Sequence, residues 1–304
     1  MHFILRNSIL YSERNDQEEN IVNDVQVIAD LFKTNAVRVA PADTPFWYTS
    51  GKLGPFYINT HFIVKSEDEA NRMLRVIEDS IKEDKLTAPK KIFKEFLDLY
   101  NTSETFKNVT DKLVEAAKKY DFDYISGGER RDYFFSMLPA YILGKPHITI
   151  FKDCTAVVTD PEFDNAKVAD KSFLEGKKVF HMADLITEAS SYERAWVPVI
   201  RGLGALITDT VAVVDRHQNG RKVLSDLGVE METLTGIDKS MFDHALESSY
   251  INKDQYDLVI KFLEDPDAYM KDFIASHPTF IDDQIALGGK ANERAELAIS
   301  KGFV

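Results

Sequence analysis

The order of apolar and polar residues predicts alternating strands and helices over the middle of the chain. Short runs of apolar, largely β-branched residues recur between residues 121 and 236, and stretches of helical length separate them. Clear strand candidates are HITIFK, KKVFHMADLI and ALITDTVAVVD. Apolar strands that alternate with helices are typical of a parallel sheet covered on both faces. The sequence therefore predicts an α/β fold with a doubly wound, mainly parallel sheet.

The chain on either side of this alternation has a helical pattern. An apolar stripe over residues 17–33 predicts an N-terminal helix, and Ser66 with Glu69 forms a capping box for another. Two helices rich in Lys and Glu, near 86–120, are expected to form a peripheral insertion. In the turn-rich segment before them, FYINTHFIV is typical of a strand. The predicted units are an N-terminal helical segment, the α/β domain and a C-terminal helical extension, at 1–37, 38–236 and 237–304.

The connection between HITIFK and KKVFHMADLI is longer than most loops in compact domains. Its sequence, CTAVVTDPEFDNAKVADKSFLEG, is polar. Such a connection is usually a functional lid or a hairpin rather than an idle linker. With little apolar anchoring, residues near 160–170 are expected to be mobile without a ligand.

Composition and charge exclude several classes of protein. The 304 residues include 37 Lys+Arg and 50 Asp+Glu, a net charge of −13, which argues against broad binding to nucleic acid. The single cysteine, Cys154, excludes a disulfide framework and a multi-cysteine zinc site. No apolar run reaches the length of a membrane span, and the first residues are too weakly apolar for a secretory signal. We expect a cytoplasmic protein without nucleic-acid or membrane partners.

The segment VFHMADLITEASSYERAW carries the strongest chemical signal. The common motifs G-x-x-x-x-G-K-[ST], G-x-G-x-x-G, H-E-x-x-H and G-x-S-x-G are absent. Here an apolar strand delivers Asp184, and a tight turn leads into a helix whose N–H groups, with the hydroxyls of Thr187, Ser190 and Ser191, can cradle a phosphate. Asp184 could accept hydrogen bonds from a ribose diol or approach a metal-bound diphosphate. The alternative is a plain strand end with a Ser N-cap.

Four segments, in order, resemble the type I phosphoribosyltransferases, and within them the orotate phosphoribosyltransferases. ADLITEASS occupies the place of the family's motif for 5-phosphoribosyl 1-diphosphate (PRPP), and TSGKLGPFYIN is similar to K-S-G-R-x-S-P-Y-F-x-N. YISGGERRDYFFSMLPAYILGKPHITIFKD resembles the core strand–helix–strand unit, and VAVVDRHQNGRKVLSDLGVEMETL the V-D-R-x-x-G-G segment. The resemblance covers most of residues 41–236. It implies transfer of ribose 5-phosphate from PRPP to orotate, with release of pyrophosphate, in a homodimer. Mg²⁺ would enter with PRPP, and Asp184 is the side chain that could approach it.

The resemblance also assigns roles to individual residues. The catalytic candidates are Lys152 and Asp184. The candidates for the PRPP and phosphate site are Asp184, Thr187, Ala189, Ser190, Ser191, Lys152 and Arg130. The candidates for the base site are Lys52, Phe56, Tyr57 and Arg216. Structural alternatives exist for each group: a solvent-exposed strand-end lysine for Lys152, salt bridges of Arg130 and Arg131 to Glu129 or Asp132, core aromatics for Phe56 or Tyr57, and an Arg216–Asp215 pair.

The chain also departs from the family pattern. Ala183 replaces the first acid of the motif and leaves Asp184 alone, while Glu188 stands where the family has a small residue. Ala189 and Ser190 replace two loop glycines. Thr49 stands in place of the base-side lysine, and Lys52 is near enough to substitute. These changes support two alternatives: a protein that binds PRPP or a nucleotide without turnover, and a phosphoribosyltransferase for another base.

Overall fold

A seven-stranded sheet forms the centre of the protein, whose computed structural model describes residues 23–304. The strands are β1 Val37–Val39, β2 Phe46–Trp47, β3 Leu53–Gly54, β4 Phe56–Ile58, β5 Tyr124–Gly128, β6 His147–Ile150, β7 Ala156–Thr159, β8 Ala166–Val168, β9 Lys178–Ile186, β10 Leu206–Asp215 and β11 Glu230–Gly236. The helices are α1 Val25–Lys33, α2 Glu67–Glu83, α3 Ala88–Thr102, α4 Glu104–Ala117, α5 Tyr133–Ile142, α6 Lys171–Leu174, α7 Val197–Gly202, α8 Gly220–Asp226, α9 Lys239–Glu247, α10 Lys253–Glu264, α11 Pro266–Ser276, α12 Phe280–Leu287 and α13 Gly289–Ser300.

The main sheet has the strand order β11-β10-β9-β5-β6-β7-β8. The first five strands in this order are parallel, and β7 and β8 add an antiparallel hairpin to the edge. The prediction of a doubly wound, mainly parallel α/β fold is confirmed. From β5 the chain goes first to β6 on one side and later to β9 on the other. The strand order therefore reverses between β5 and β9, and a ligand site is expected outside the carboxyl ends of these strands.

Helices α3 and α4 belong to the main hydrophobic core, so the expectation of a peripheral insertion is wrong. Their Phe96, Phe106 and Leu113 are fully buried, and the Phe96 ring lies 4.8 Å from that of Phe134 on α5. The Lys and Glu residues that suggested a peripheral position lie mainly on the opposite, solvent-facing side. Amphipathic helices of this kind bury one face whatever their surface charge.

The β7–β8 hairpin is the long polar connection of the sequence, and a buried aromatic side chain anchors its tip. Phe163 is 1% exposed, and its ring stacks on Phe93 of α3 with centroids 4.4 Å apart. Lys90 of α3 forms an ion pair of 2.9 Å with the neighbouring Asp164. The sequence reading missed this anchor because one apolar residue in a polar stretch carries no periodic signal.

The segment FYINTHFIV contains only one short strand, β4. β4 pairs antiparallel with β1, and residues Thr60–Val64 then form a 3₁₀ turn whose side chains are all buried. The prediction of one strand over FYINTHFIV is therefore wrong in its second half. The predicted N-terminal helix is seen as α1, which begins at Val25 because the Asp24 carboxylate caps it. Its predicted first turn, residues 17–22, lies outside the described residues.

Helices α9–α13 form the C-terminal part of the chain, and the last three pack on the β2–β3 hairpin. Leu53 of β3 is fully buried against Met270, Phe273 and Ala298. Trp47 of β2 donates a hydrogen bond of 2.9 Å from Nε1 to the side chain of Gln284. Within residues 23–304, no helix is long and apolar enough to cross a membrane.

Candidate functional site

A cleft of about 420 Å³ lies at the carboxyl ends of β5, β6 and β9, at the reversal of strand order. Three parts of the chain line it: the loop after β5, the second residue after β6, and the end of β9 with the turn that follows. They contribute Glu129–Asp132, Lys152 and 183–192, together with Trp196. Of the site residues predicted from the sequence, Asp184, Thr187, Ala189, Ser190, Ser191, Lys152 and Arg130 meet here.

Two aspartates, not one, form the floor of the cleft. Asp184 ends β9 and is 9% exposed, and Asp132, just before α5, is 8% exposed. One Asp132 carboxylate oxygen accepts the Asp184 backbone N–H and the other accepts that of Gly128, both at 3.2 Å. The sequence reading considered Asp132 only as a partner for an arginine. The available signal was its position in the short loop between a predicted strand and a predicted helix.

The environment of Asp184 favours its neutral form. Burial raises its pKa to about 7, and the charge of Asp132 acts in the same direction. The Arg131 guanidinium opposes this rise but does not cancel it. Buried carboxyl groups with raised pKa values in a cleft are candidates for functional residues.

Two buried polar side chains, Ser126 and His181, lie beneath Asp132. His181 of β9 is fully buried, and its Nδ1 lies 2.9 Å from the Ser126 hydroxyl. Its Nε2 lies 3.5 Å from the second carboxylate oxygen of Asp132. The rings of Tyr192 and Trp196 cover His181 at centroid distances of 4.9 and 6.2 Å. Ser126 and His181 are fully buried, so with Asp132 they cannot act as a hydrolytic triad, and the Gly128 and Asp184 N–H groups hold the Asp132 carboxylate.

The turn at 187–191 offers several hydrogen-bond donors to the cleft. It leads directly into a π-helical turn, Tyr192–Trp196, and then α7. In the part of the chain that the structure describes, no side chain accepts a hydrogen bond from the backbone N–H groups of 188–191, and the hydroxyls of Thr187, Ser190 and Ser191 have no protein partner. Ala189 has φ +51°, the left-handed conformation that favours glycine. Residue 189 thus has the backbone conformation that is usual for glycine, although it is an alanine.

The start of α8 holds the turn in place from the other side. The Gly220 N–H donates to the Thr187 carbonyl at 2.9 Å. A Cβ at residue 220 would lie 2.7 Å from that same oxygen, so only glycine permits the approach. Glu188 is exposed in the turn and lines the cleft.

Three basic residues, Arg130, Arg131 and Lys152, line the cleft. Lys152 is 65% exposed, and its Nζ lies 3.9 Å from the carboxylate of Glu129, which also accepts the Lys152 N–H at 3.0 Å. Arg130 forms an ion pair with Glu78 of α2, and not with Glu129 or Asp132 as the alternative reading had it. Arg131 is exposed and acts electrostatically on Asp184. Lys152 and Arg131 are therefore the cations best placed to meet an anion.

His61, on the 3₁₀ turn, is a buried titratable residue that the sequence did not indicate. It is 2% exposed, and its Nδ1 has no hydrogen-bond partner within residues 23–304. Burial, together with the charges of Arg131 and Arg130, lowers its pKa to about 3. Because the imidazole is neutral, it adds no positive charge to that of the two arginines.

The predicted base-side residues lie outside the residues that line the cleft. Arg216 follows β10, which is parallel to β9, and its N–H donates to the Ile186 carbonyl at 2.9 Å. Its side chain has no acidic partner within 4 Å among the described residues, while Asp215 pairs with Arg221 instead. Burial raises the pKa of Tyr48, and the Arg216 charge opposes this rise.

The other base-side candidates have structural partners. Phe56 is 2% exposed and packs against Phe242 and Phe262, with ring centroids 5.3 and 5.5 Å away, so it is a core aromatic. Tyr57 is 36% exposed. The Lys52 ammonium forms a 2.6 Å ion pair with Asp267 of α11. The Tyr57 ring lies 5.9 Å from that of Phe46, so among the described residues Arg216 alone of the four candidates has no such partner.

The side chains of the cleft can bind a cation such as Mg²⁺ only if a ligand supplies most of the coordinating oxygen atoms. Residues 23–304 contain no group of three or more His, Cys, Asp or Glu arranged to hold a metal ion. Glu129 and Glu188 also line the cleft, and the carboxylates of Asp132 and Asp184 on its floor can serve as oxygen ligands. Mg²⁺ is commonly bound by one or two carboxylates together with phosphate oxygens and water, so these residues fit Mg²⁺ that arrives with a diphosphate.

The structure defines an α/β protein with a cleft at the carboxyl ends of its parallel strands, and comparison with known proteins gives the family. No family model matches the chain. An adenine phosphoribosyltransferase of Agrobacterium fabrum is 30% identical over 155 residues, 47% of this chain and 84% of that protein. An orotate phosphoribosyltransferase of Sulfurisphaera tokodaii is 27% identical over 176 residues, 57% of this chain and 86% of that protein. The chain belongs to the type I phosphoribosyltransferases.

Solved structures agree with this assignment at the level of the fold. A UMP synthase of Leishmania donovani has a TM-score of 0.55 at 18% identity, over 79% of this chain and 42% of that chain. An orotate phosphoribosyltransferase of Francisella tularensis has a TM-score of 0.50 at 14% identity, over 78% and 96%.

Proposed function

We propose that the protein transfers the ribose 5-phosphate unit of PRPP to orotate and releases pyrophosphate. The observation that carries this proposal is the turn at 187–191, whose N–H and hydroxyl groups have no side-chain partner within residues 23–304 and follow Asp184 at the reversal of strand order. Family membership supports the reaction class. A turn of this kind suits the 5-phosphate of a ribose whose hydroxyls lie over the carboxylates.

In the proposed reaction the C1–O bond to the diphosphate breaks and a bond from C1 to a ring nitrogen of the base forms. The transition state carries positive charge on the ribose, and the leaving diphosphate gains negative charge. Lys152 and Arg131, the exposed cations of the cleft, would stabilise that charge. The carboxylates on the floor would hold the ribose hydroxyls, and the buried network beneath them fixes their positions.

Mg²⁺ would be held by the diphosphate and by Asp184, with Asp132 beside it, and would neutralise the diphosphate and orient it. Glu188 requires explanation, because a carboxylate near a 5-phosphate is repulsive unless it points away. It is exposed and has no basic partner among the described side chains, so it is free to turn toward solvent.

The choice of orotate over adenine rests on Arg216. An arginine without an acidic partner, at the same sheet edge as Asp184, suits the carboxylate of orotate through a charge-assisted hydrogen bond. Adenine carries no such anion. Adenine remains the second candidate because the relative of 30% identity is named for it.

We also propose that the protein acts as a homodimer in the cytoplasm, with part of the partner covering the cleft. Light scattering at micromolar concentration tests the dimer. A monomer under conditions of full activity would contradict it.

The direct test is turnover by the purified full-length chain with PRPP and Mg²⁺. Orotate, adenine and uracil are supplied separately, and pyrophosphate release is measured for each. The proposal expects release with orotate that exceeds release with the other bases at least tenfold. Release with adenine alone would reassign the base. Calorimetric binding of PRPP without release with any base would support the binding protein without turnover, and no binding at all would overturn both functions.

A further inference from the structure

The Asp132 carboxylate joins the two strands that separate at the reversal of strand order. It accepts one N–H from Gly128 of β5 and one from Asp184 of β9, both at 3.2 Å. Its side chain is 11% exposed and lines the cleft. Each carboxylate oxygen has a second lone pair, so both backbone bonds can persist while the group accepts a further hydrogen bond from a ligand.

This carboxylate lies on the face of the sheet to which Ala183 belongs. His181 and Ala183 are two residues apart on β9, so their side chains point to the same face. The Asp132 carboxylate lies 3.5 Å from His181 Nε2. Tyr192 and Trp196 cover that face, and Ala183 packs in the same cluster. Because alanine is small, space that a larger side chain at 183 would take is available to Asp132.

We propose that Asp132 supplies the second carboxylate of a ribose-binding pair, in the place of the acid that Ala183 replaces in the family motif. One carboxylate then comes from the end of β5 and one from the end of β9, and together they accept the two neighbouring ribose hydroxyls. The inference rests on the proposed function, since it assumes that the cleft holds the ribose of PRPP. A purely structural role, bridging the two strands, is the competing account.

The test separates these accounts through sugar preference, which a strand bridge alone would not change. The probes are ribose 5-phosphate and 2-deoxyribose 5-phosphate, titrated into the full chain by calorimetry without Mg²⁺, with PRPP–Mg²⁺ as a third titration. The wild type should prefer ribose 5-phosphate about tenfold, the effect of one hydrogen bond to a charged group. Asp132→Asn, which keeps one acceptor oxygen, should reduce this preference to about twofold.

A rescue variant and a matched control complete the design. The double variant, Asp132→Asn with Ala183→Asp, returns an acid to the motif position. It should recover at least half of the lost preference for ribose 5-phosphate, measured on a logarithmic scale. Asp160→Asn is the control, because the Asp160 carboxylate also accepts two backbone N–H groups, at 2.8 and 3.3 Å, but in the β7–β8 hairpin. It should leave the preference unchanged.

The outcomes distinguish the inference from the proposed function. A wild type that binds neither PRPP nor ribose 5-phosphate overturns both. A wild type that binds both, with a sugar preference that Asp132→Asn does not alter, overturns the inference alone. If Asp132→Asn does not fold, the single variant Ala183→Asp tests the inference instead. The new side chain then competes with Asp132 for the same space and should weaken ribose 5-phosphate at least fivefold, while unchanged affinity contradicts the inference.

Discussion

Phe163 at the tip of the β7–β8 hairpin stacks on Phe93 of α3, with ring centroids 4.4 Å apart. This contact ties the hairpin, the edge of the sheet, to the helical insertion. The side chain is 1% exposed, so it contributes the free energy of a core residue although it lies in a polar loop. The hairpin is therefore expected to be ordered without a ligand, and this replaces the expectation from the sequence that residues near 160–170 are mobile.

Phe163→Ala should loosen the hairpin. We expect the free energy of unfolding to fall by about 3 kcal/mol, as for other buried phenylalanines, and amide exchange across residues 156–168 to accelerate. Lys90→Ala, which removes only the exposed ion pair to Asp164, should cost less than about 1 kcal/mol. Rapid exchange of the hairpin in the wild type would contradict an anchored tip.

Two buried histidines should make the protein sensitive to acid. Burial lowers the pKa values of His61 and His147 to about 3, so both are neutral in the folded state. The unfolded chain binds their protons below about pH 6.5. Stability should therefore be unaffected above that pH and fall by about 1.4 kcal/mol per pH unit for each histidine as the pH drops from 6.5 toward 3.

Urea unfolding at pH 7 and pH 5 measures this effect. His147→Gln should reduce the difference between the two pH values, whatever its effect on stability at pH 7. His244→Gln, on the surface helix α9, is the matched control. An unchanged pH difference in the His147 variant would show that its protonation is not linked to unfolding.

Asp184→Asn should raise the free energy of unfolding and weaken the binding of PRPP–Mg²⁺. Burial and the Asp132 charge raise the Asp184 pKa to about 7, so ionising this group costs folding free energy above that pH. The cost is absent below about pH 4 and grows as the pH rises through 7. Asparagine avoids it, so the variant should be about 2 kcal/mol more stable at pH 8 and show a smaller gain at pH 5.

Binding of PRPP–Mg²⁺ by the same variant should fall at least tenfold, because the cleft loses a charged acceptor for the ribose. Thermal unfolding at the two pH values and calorimetry with PRPP–Mg²⁺ give both results. A destabilised variant at pH 8 would show that the ionised carboxylate is favourably solvated or paired in the folded protein.

Arg216→Ala should weaken orotate binding by about 1.5–3 kcal/mol and leave PRPP binding within twofold. Arg216→Lys keeps the charge without the planar fork and should recover only part of the affinity. Arg201→Ala, on α7 and outside the cleft lining, is the matched control. Equal losses for PRPP and orotate would indicate a structural role for Arg216.

The strands of the parallel sheet and the turn after β9 could be predicted because their signals are local. Apolar runs mark β5, β6, β9 and β10. The motif 183–191 begins in the last residues of β9 and continues into the turn that follows. The roles of Asp132 and Phe163 could not be predicted, since each depends on a partner distant in sequence. Asp132 acts with Asp184, 52 residues later, and no period in the sequence connects them.

The base-side candidates illustrate the same limit. Lys52 was predicted from its closeness in sequence to the family's lysine position, but the structure pairs it with Asp267. The C-terminal helices lie outside the family resemblance, so the motif carried no information about this competitor. Charge complementarity across 215 residues becomes visible only when the chain is folded.

The packing of the C-terminal helices on the β2–β3 hairpin affects the order in which the protein matures during synthesis. Trp47 finds its hydrogen-bond partner, Gln284, only after a further 237 residues have been added. Arg294 and Lys301 donate to the carbonyls of Thr49 and Ser50, which are separated from them by 245 and 251 residues. On the ribosome, the nascent hairpin therefore emerges long before the helices that cover it. A ribosome-bound chain that ends before α11 would carry a complete parallel sheet while this hairpin still waited for its packing surface.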